Sequence, residues 1–470
     1  MSNPQVIQRA NQNSSLYQTI KARNSKQEVY DYNVSGEKNI CEVARSKVIV
    51  ASTTTMSATN QQTLKFELPN YGLLEDLYLK TKFASGAAGQ NVTDGSKSIS
   101  LTNMAGAFAW TACRLVFQGT TIFEWSPEWV ATSQYTRATR ERAGQLNLML
   151  GADVSGVEND NINARTGRAL ISSVAGGTEL MAPLKAFWSD SLGRAFDLYS
   201  LNSKVHLEVD YRSNAQAHEL IQDTTMAQTY AGAELVCYLA ELAPESLSAY
   251  QARNYVPGSV ASQLGFTTTH FSEIITSPVL ITGSSSVGNK IKLNSISGLV
   301  RRLYVFANLV SDETAKIYFN PQKLARVRIL ANNQVIHEQE EFMLLGADDA
   351  TTSNGYKTDG IVEMFRNNLP MSFSDSTALP AAADTKPAAV GGGVDISRVC
   401  VVNFAYSPDD YSSADGSVSF AQMNNIELEV MFGSEASTND HNVHVVAEML
   451  TVNTYNTSST GAITFKSIGE

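Results

Sequence analysis

The 470-residue sequence predicts an all-β chain of two consecutive eight-stranded β-sandwiches, with a few short helices and long loops. Three observations predict it. Short runs alternate apolar and polar side chains, turn-forming residues separate the runs, and the order of runs in the first half recurs in the second. Alternation with a period of two buries one face of a strand and leaves the other wet. Thr63-Leu64-Lys65-Phe66-Glu67-Leu68 is such a run. Similar runs lie at 77–83, 114–117, 205–211 and 235–239, with Gly, Asn, Ser and Asp clusters between them.

The recurrence is the most informative feature. Gly72-Leu73-Leu74-Glu75-Asp76-Leu77-Tyr78-Leu79 matches Gly298-Leu299-Val300-Arg301-Arg302-Leu303-Tyr304-Val305, each after an alternating run, 64–68 and 291–296. Arg114-Leu115-Val116-Phe117-Gln118-Gly119-Thr120-Thr121-Ile122-Phe123-Glu124 matches Arg328-Ile329-Leu330-Ala331-Asn332-Asn333-Gln334-Val335-Ile336-His337-Glu338, with Gln-Gly-Thr and Asn-Asn-Gln placed for a tight hairpin turn. Leu207-Glu208-Val209 matches Leu428-Glu429-Val430, and both halves close on an apolar strand, 235–239 and 443–450. Order is kept and spacing drifts only in loops. Sandwiches of eight strands with long connections are jelly rolls.

Helices are few. Ser126-Pro127-Glu128 supplies an N-cap, a proline at the first helical position and an acid in the first turn, so a helix starts there and can run towards Leu150, stopping at Gly151. A second starts at Pro244-Glu245 and must end before Pro257-Gly258. The predicted organisation is a flexible arm at 1–45, a first jelly roll at 46–243, a linker helix at 244–258, a second jelly roll at 259–456 and a tail at 457–470. Segments 84–106, 151–180 and 375–394 read as long projecting loops. The Gly391-Gly392-Gly393 run lacks the spacing and the Gly-Lys-Ser/Thr ending of a phosphate cradle.

Composition narrows the function. Hydrophobic residues are 43% and charged residues 17% of the chain, enough apolar content for sizeable cores and a charge-poor surface that favours oligomerisation. The net charge of −11 argues against packaging nucleic acid with the body of the protein. The first 27 residues differ: they carry Arg9, Lys21, Arg23 and Lys26 and no acid, so a basic arm facing phosphates or an acidic neighbour competes with a passive tail. Cys41, Cys113, Cys237 and Cys400 form no Cys-x-x-Cys pair, and sparse cysteine suits a reducing compartment. No apolar signal core opens the chain and no run approaches the roughly 20 apolar residues of a membrane span. Synthesis in cytosol or nucleus is expected, where the triplets at Asn13, Asn33, Asn91 and Asn456 have no glycosylation meaning.

No residue is assigned as catalytic, cofactor-binding or metal-binding, and no enzyme motif occurs. His441 and His444 are three apart on a predicted strand, so they point to opposite faces and cannot share a metal. His206 alternates with Val205 and Leu207 and faces outward or sits satisfied. Asp409, Asp410 and Asp415 read as solvated turn acids rather than calcium ligands. Trp110, Trp125, Trp129 and Trp188 read as core packing under the Ser126 helix rather than as a sugar platform.

Two segments carry a family resemblance. Residues 402–428, VNFAYSPDDYSSADGSVSFAQMNNIEL, resemble the second-domain signature of major capsid proteins of nucleocytoplasmic large DNA viruses and of polinton-like viruses and virophages. The matching positions are Phe404-Ala405, Pro408-Asp409-Asp410, Gly416-Ser417, Phe420 and Asn424-Asn425; the family often has Ser-Gly where this chain has Asp415-Gly416. Residues 184–209, LKAFWSDSLGRAFDLYSLNSKVHLEV, resemble the first-domain signature through Phe187-Trp188, Leu192-Gly193, Leu198, Leu201 and 205–209. Arg194, Asp197 and Ser200 depart from it, which favours a smaller, diverged relative.

The resemblance implies a double jelly-roll major capsid protein of a DNA virus, without enzymatic activity or cofactor. Three chains would form a pseudo-hexagonal capsomer that tiles an icosahedral shell. Implied partners are the homotrimer, neighbouring capsomers, minor capsid and penton proteins, and, through the arm, an inner lipid membrane, with no sequence-specific nucleic acid. The implied location is the virion capsid, assembled in host cytoplasm or nucleus. A carbohydrate-binding or adhesive attachment protein is the alternative, and a jelly-roll glycoside hydrolase a third, for which no carboxylate pair stands out.

Overall fold

In the computed structural model, the described residues fall within segments 43–83, 99–137, 145–151, 166–169, 178–213, 218–220, 230–247, 266–311, 318–340, 399–405, 416–432 and 439–455, with short breaks inside several of them. The first half contains β1 (Val43–Ala51), β2 (Gln62–Glu67), β3 (Leu73–Phe83), β4 (Ile99–Thr102), α1 (Ala105–Phe108), β5 (Trp110–Phe117), β6 (Thr120–Trp125), α2 (Pro127–Arg137), β7 (Thr166–Ala169), β8 (Thr178–Pro183), β9 (Phe196–Asp197), β10 (Val205–Tyr211), β11 (His218–Leu220) and β12 (Tyr230–Leu242). The second contains β13 (Phe266–Ile275), β14 (Val279–Ile281), β15 (Asn289–Lys292), β16 (Leu299–Leu309), β17 (Leu324–Ala331), β18 (Gln334–Glu340), β19 (Cys400–Asn403), β20 (Val418–Ser419), β21 (Ile426–Phe432) and β22 (His441–Tyr455).

Each half folds two antiparallel sheets face to face, each built on a row of four strands, with β9 also pairing β3 in the first half and β14 and β20 pairing β22 and β16 in the second. The first pairs β1-β12-β3-β8 with β2-β10-β5-β6, and the second pairs β13-β22-β16-β19 with β15-β21-β17-β18. The chain crosses between the sheets of a pair repeatedly, which is jelly-roll topology, and the two halves have the same strand order position for position. The fold is all-β, with two jelly rolls in one chain. Alternation places Leu64, Phe66, Cys113, Leu115, Leu207 and Val209 on one inner face of the first roll, against Leu77, Leu79, Leu235, Cys237 and Leu239 on the other. In the second, Val327, Ile329, Leu428 and Val430 meet Leu303, Val305, Val443 and Val445.

The repeat seen in sequence is a repeat in backbone geometry. Gln118 and Gly119 have φ of 51° and 80°, and Asn332 and Asn333 have φ of 52° and 64°. Two successive left-handed residues make the tight hairpin turn whose twist matches its strands. Both hairpins carry a register shift at the same place, between Leu115 and Val116 and between Ile329 and Leu330. Gly72 and Gly298 have φ of 87° and 129°. Their carbonyls accept hydrogen bonds from the amides of Leu198 and Phe420, at 3.0 and 2.9 Å.

Some expectations are corrected. Segment 84–106 is not all loop, because it contains β4 and the start of α1, and 151–180 contains β7 and the start of β8; β11, β4 and β7 form a small third sheet. The alternating run at 291–296 is strand only to Lys292, because a turn follows that leads the Ile296 amide back to the Leu293 carbonyl. α2 starts at Pro127 as its capping residues dictate, with the Ser126 hydroxyl accepting the Trp129 amide at 3.1 Å. A helical turn begins at Pro244, where the Leu247 amide donates to the Ala243 carbonyl. The arm at 1–27, most of the 244–258 linker, the 375–394 loop and the 457–470 tail lie outside the described residues.

At Gly72 an added Cβ would sit 3.2 Å from Leu239 Cβ as well as at positive φ, whereas at Gly119 it would meet nothing within 4 Å. Gly119→Ala therefore costs only the left-handed backbone term of about 1–2 kcal/mol. Gly72→Ala adds overpacking and costs about 1–3 kcal/mol more. Urea unfolding of the two variants checks the order.

Candidate functional site: the seam between the two jelly rolls

The residues that depart most from alternation mark the site. β3 alternates along its outer half, with Tyr78, Lys80 and Lys82 facing away from the core. Its counterpart β16 is buried at nine consecutive positions. A strand buried on both faces needs a second cover, and the first jelly roll supplies it. Tyr304, Phe306, Val401 and Val446, on the outer face of the second roll's sheet, belong to one apolar cluster with the first roll's core.

Three ring contacts hold the seam. Trp129 of α2 packs on Tyr304 with centroids 4.8 Å apart. Phe108 of α1 stacks on Tyr318 at 6.0 Å. The Arg212 guanidinium lies 4.1 Å from the centre of the same Tyr318 ring, a cation–π contact. Beside Tyr304 sits a buried ionic group. Arg301 Nε is 3.8 Å from Glu448 Oε1, with side chains only 1% and 0% exposed. Arg302 Nη1 donates to the Tyr304 hydroxyl, which donates to Glu448 Oε2, both at 3.4 Å. At the edge of this sheet the Gln339 amide donates to the Val401 carbonyl at 3.2 Å and accepts from Cys400 Sγ at 3.0 Å.

The outer faces of the other two sheets carry a second repeated pattern. Across the first, Lys65 stands opposite Glu208, Glu208 opposite Arg114, and Arg114 opposite Glu124. Across the second the sequence is Lys290, Glu429, Arg328, Glu338. Each row alternates in charge, so every cross-strand neighbour is of opposite sign. Arg114 also reaches Asp210 at 2.6 Å, and Arg328 reaches Glu429 at 3.6 Å.

The residues singled out in the sequence fall as follows. All four tryptophans are buried. Trp125 and Trp188 meet edge to face at 6.1 Å, and Trp125 donates to the Lys185 carbonyl at 2.6 Å. Trp129 is not simply core under its helix: it is the plug of the seam. His441 stacks on Phe432 at 4.1 Å and His444 on Phe306 at 4.9 Å, one in the second roll's interior and one at the outer face. His206 Nε2 lies 3.1 Å from Glu208 Oε1. Asp409, Asp410 and Asp415 lie outside the described residues. Among the described residues no group of three or more His, Cys, Asp or Glu is placed to hold a metal, and no helix is long and apolar enough to cross a membrane.

Burial holds two cysteines and two tyrosines of the first roll neutral. Burial pushes the Cys113 thiol well up and the Cys237 thiol up to about 12, away from the reactive thiolate. Burial also raises the Tyr211 and Tyr230 phenols, which make hydrogen bonds to Thr81 Oγ1 and to the Ala109 and Arg212 carbonyls. On the outer face of the same sheet, the hydrogen bond from Lys82 holds the Glu234 carboxyl below its ordinary range, against a smaller desolvation effect.

Two outcomes follow. Trp129→Ala removes the plug of the seam and costs about 3–5 kcal/mol; denaturant unfolding followed by tryptophan fluorescence and by circular dichroism separates into two transitions. The depressed Glu234 carboxyl contributes stability that is complete above its unfolded value, near pH 4.3, and is lost as pH falls through the lower folded value. Glu234→Gln removes that part of the acid limb, worth a few tenths to about 1 kcal/mol because the pair is partly exposed, as read by thermal melts from pH 6 to 3.

By sequence the chain matches no protein-family model and none of the curated proteins. By structure it is similar to VP54 of the virus PBCV-1, a structure that was fitted into a reconstruction of the virophage Sputnik. Identity is 12% and the TM-score 0.58, over 89% of this chain and 95% of that one. It is also similar to the faustovirus major capsid protein, at 11% identity and a TM-score of 0.55 over 95% and 98% of the two chains. A quasi-atomic model of the PBCV-1 capsid gives 13% identity and a TM-score of 0.55 over 89% and 95%. With topology, repeat and extent in agreement, the chain has the double jelly-roll fold found in these viral capsid proteins.

Proposed function

We propose that the chain is the major capsid protein of a DNA virus, a structural protein whose homotrimer is a pseudo-hexagonal capsomer of an icosahedral shell. The observation that carries this is the duplication: two jelly rolls of identical strand order lie in one chain, joined by a seam that uses different surfaces of each. An edge of one roll on the outer sheet of the next is a heterologous contact, and such contacts repeat around a ring when the rotation closes. Three two-roll chains then present six similar sides and fill a hexagonal lattice position. The near full-length likeness to the faustovirus major capsid protein supports the same reading.

The role is binding and assembly rather than catalysis, with no cofactor. Partners are two further copies in the capsomer, neighbouring capsomers, and the minor capsid and penton proteins that complete a shell, within the virion and assembled in the host cytoplasm or nucleus. The basic arm at 1–27 suits the inner side, towards an anionic membrane or an acidic neighbour. The protein expressed alone is expected to be monodisperse at three times the 50.9 kDa chain mass by light scattering. Negative-stain microscopy is expected to show hexagonal particles. A monomer at all accessible concentrations overturns the proposal.

A further inference from the structure

The two charged rows have a property that folding alone does not require. Lys65, Glu208, Arg114 and Glu124 cross the outer face of β2-β10-β5-β6, and Lys290, Glu429, Arg328 and Glu338 cross the outer face of β15-β21-β17-β18. Each row reads plus, minus, plus, minus, and at the usual strand spacing spans about 14 Å. Turned end for end, it reads minus, plus, minus, plus. A two-fold axis lying between two such faces, parallel to their strands, performs this reversal. It sets the first position of one row against the fourth of the other, and the second against the third, so all four facing pairs have opposite sign. The row is complementary to itself and, because both rolls carry it, to its twin.

The flanking residues sharpen the point. Towards the hairpin turns, the next row is Glu67, His206, Val116 and Thr121 in the first roll and Lys292, Glu427, Leu330 and Val335 in the second. These two rows share no charge, yet reversed against themselves or against each other they bring no like charges together. Exposed ion pairs contribute little to stability, and a sheet is served equally well by either phase of an alternating row. Stability therefore does not hold four positions to the same signs in both rolls, whereas a common partner does. The groups are within reach of one: Lys290 is 45% and Glu338 36% exposed, and Arg114, Glu208 and Arg328 are partly exposed. Arg328 lies 2.5 Å from Glu338 and 3.6 Å from Glu429, and Arg114 lies 2.6 Å from Asp210, which fixes both guanidiniums in position. A guanidinium has five N–H donors and a carboxylate about four acceptor sites, so a pair made within the sheet can take a second partner across an interface. In the second roll this face lies on the far side of the sandwich from Tyr304 and Val446, so it and the seam can be used at once.

We infer that these two faces are the contacts between neighbouring capsomers, each meeting a second copy of the chain across a two-fold axis parallel to its strands. A two-fold contact requires a surface complementary to itself, and the row is one. Because the two rolls carry the same row, either roll accepts either roll, and a tile of threefold symmetry meets its neighbours in all six directions by one rule. A polar contact of this kind is sensitive to salt and reversible, so that misplaced tiles can leave. The inference rests on the capsomer reading above and names the surface by which one capsomer meets the next.

The test uses two full-length variants. In the first, Arg114→Glu with Arg328→Glu, both rows read plus, minus, minus, minus. In the second, Glu208→Arg with Glu429→Arg, they read plus, plus, plus, minus. Each variant alone sets like charges face to face at the two central positions, whereas one variant facing the other is opposite at all four. Both are expected to be folded trimers by circular dichroism and light scattering, since the substitutions lie on wet faces. At low ionic strength, parent trimers are expected to associate further. Each variant alone is expected to need about tenfold or more higher concentration to do so, and an equimolar mixture of the two is expected to recover the parent's association. Association of the parent is also expected to weaken as salt is raised, a reading that does not depend on how well the variants fold. Variants that associate alone as the parent does, a mixture no better than its components, or parent association indifferent to salt each overturn this inference and leave the capsomer reading standing. A parent protein that never trimerises overturns both.

Discussion

A β-sheet that is apolar on one face is satisfied by one partner layer; a sheet that is apolar on both is stable only between two. The sheet β13-β22-β16-β19 is of the second kind. Its inner face carries Leu303, Val305, Val443 and Val445 against its own sandwich. Its outer face carries Tyr304, Phe306, Val401 and Val446. Without α1, α2 and the first roll, that outer face would stand in water. Burial of a large apolar side chain contributes about 1.5–3 kcal/mol, so four such residues contribute an amount comparable to the about 5–15 kcal/mol by which a domain is stable. Docking of one roll on the other is therefore a large part of what stabilises the chain as a whole.

The ionic group at Arg301, Arg302, Tyr304 and Glu448 fits this account as a source of specificity rather than of strength. Buried ion pairs recover their desolvation only with good geometry and full hydrogen bonding. Apolar contacts alone would let β16 and β22 slip against each other at little cost. A carboxylate held beside one guanidinium and the tyrosine hydroxyl admits one arrangement, because any shift leaves charge buried and underpaired. That register keeps Tyr304 in the place where Trp129 packs on it.

Much of this was legible beforehand, and the reasons can be traced to residues. Strands with one wet face announce themselves by alternation, as 63–68 does, and turn chemistry announces hairpins, as Gln118-Gly119 and Asn332-Asn333 do. The repeat was legible because both halves kept the same devices: a glycine at positive φ before β3 and β16, and a bulge one turn before the hairpin. The seam was not read. Its signal was present in the unbroken apolar run 303–307, where Phe306 replaces Lys80, but loss of alternation in a single strand is ambiguous without knowing what lies across it. The Trp129 side chain was assigned to the core for a related reason: burial is legible in a tryptophan, but which body buries it is not.

The doubled Lys-Glu-Arg-Glu rows have a consequence for how such a chain reaches its fold. Outward-facing charges normally help a strand choose its neighbour, since a wrong register sets like charges side by side. Here β21 laid beside β5, or β10 beside β17, would find the same charges in the same order, so the wet faces cannot distinguish the right hairpin from its twin. The discrimination must come from the dry faces. Phe117, Phe123 and Trp125 fill the first interior where Ala331, His337 and Gln339 stand at the matching positions of the second. An exchanged hairpin would force three large rings into a space shaped for smaller groups and leave a void in the place they vacated. Divergence of the interiors after duplication, with the surfaces kept alike, is what keeps two near-copies on one chain from folding into each other.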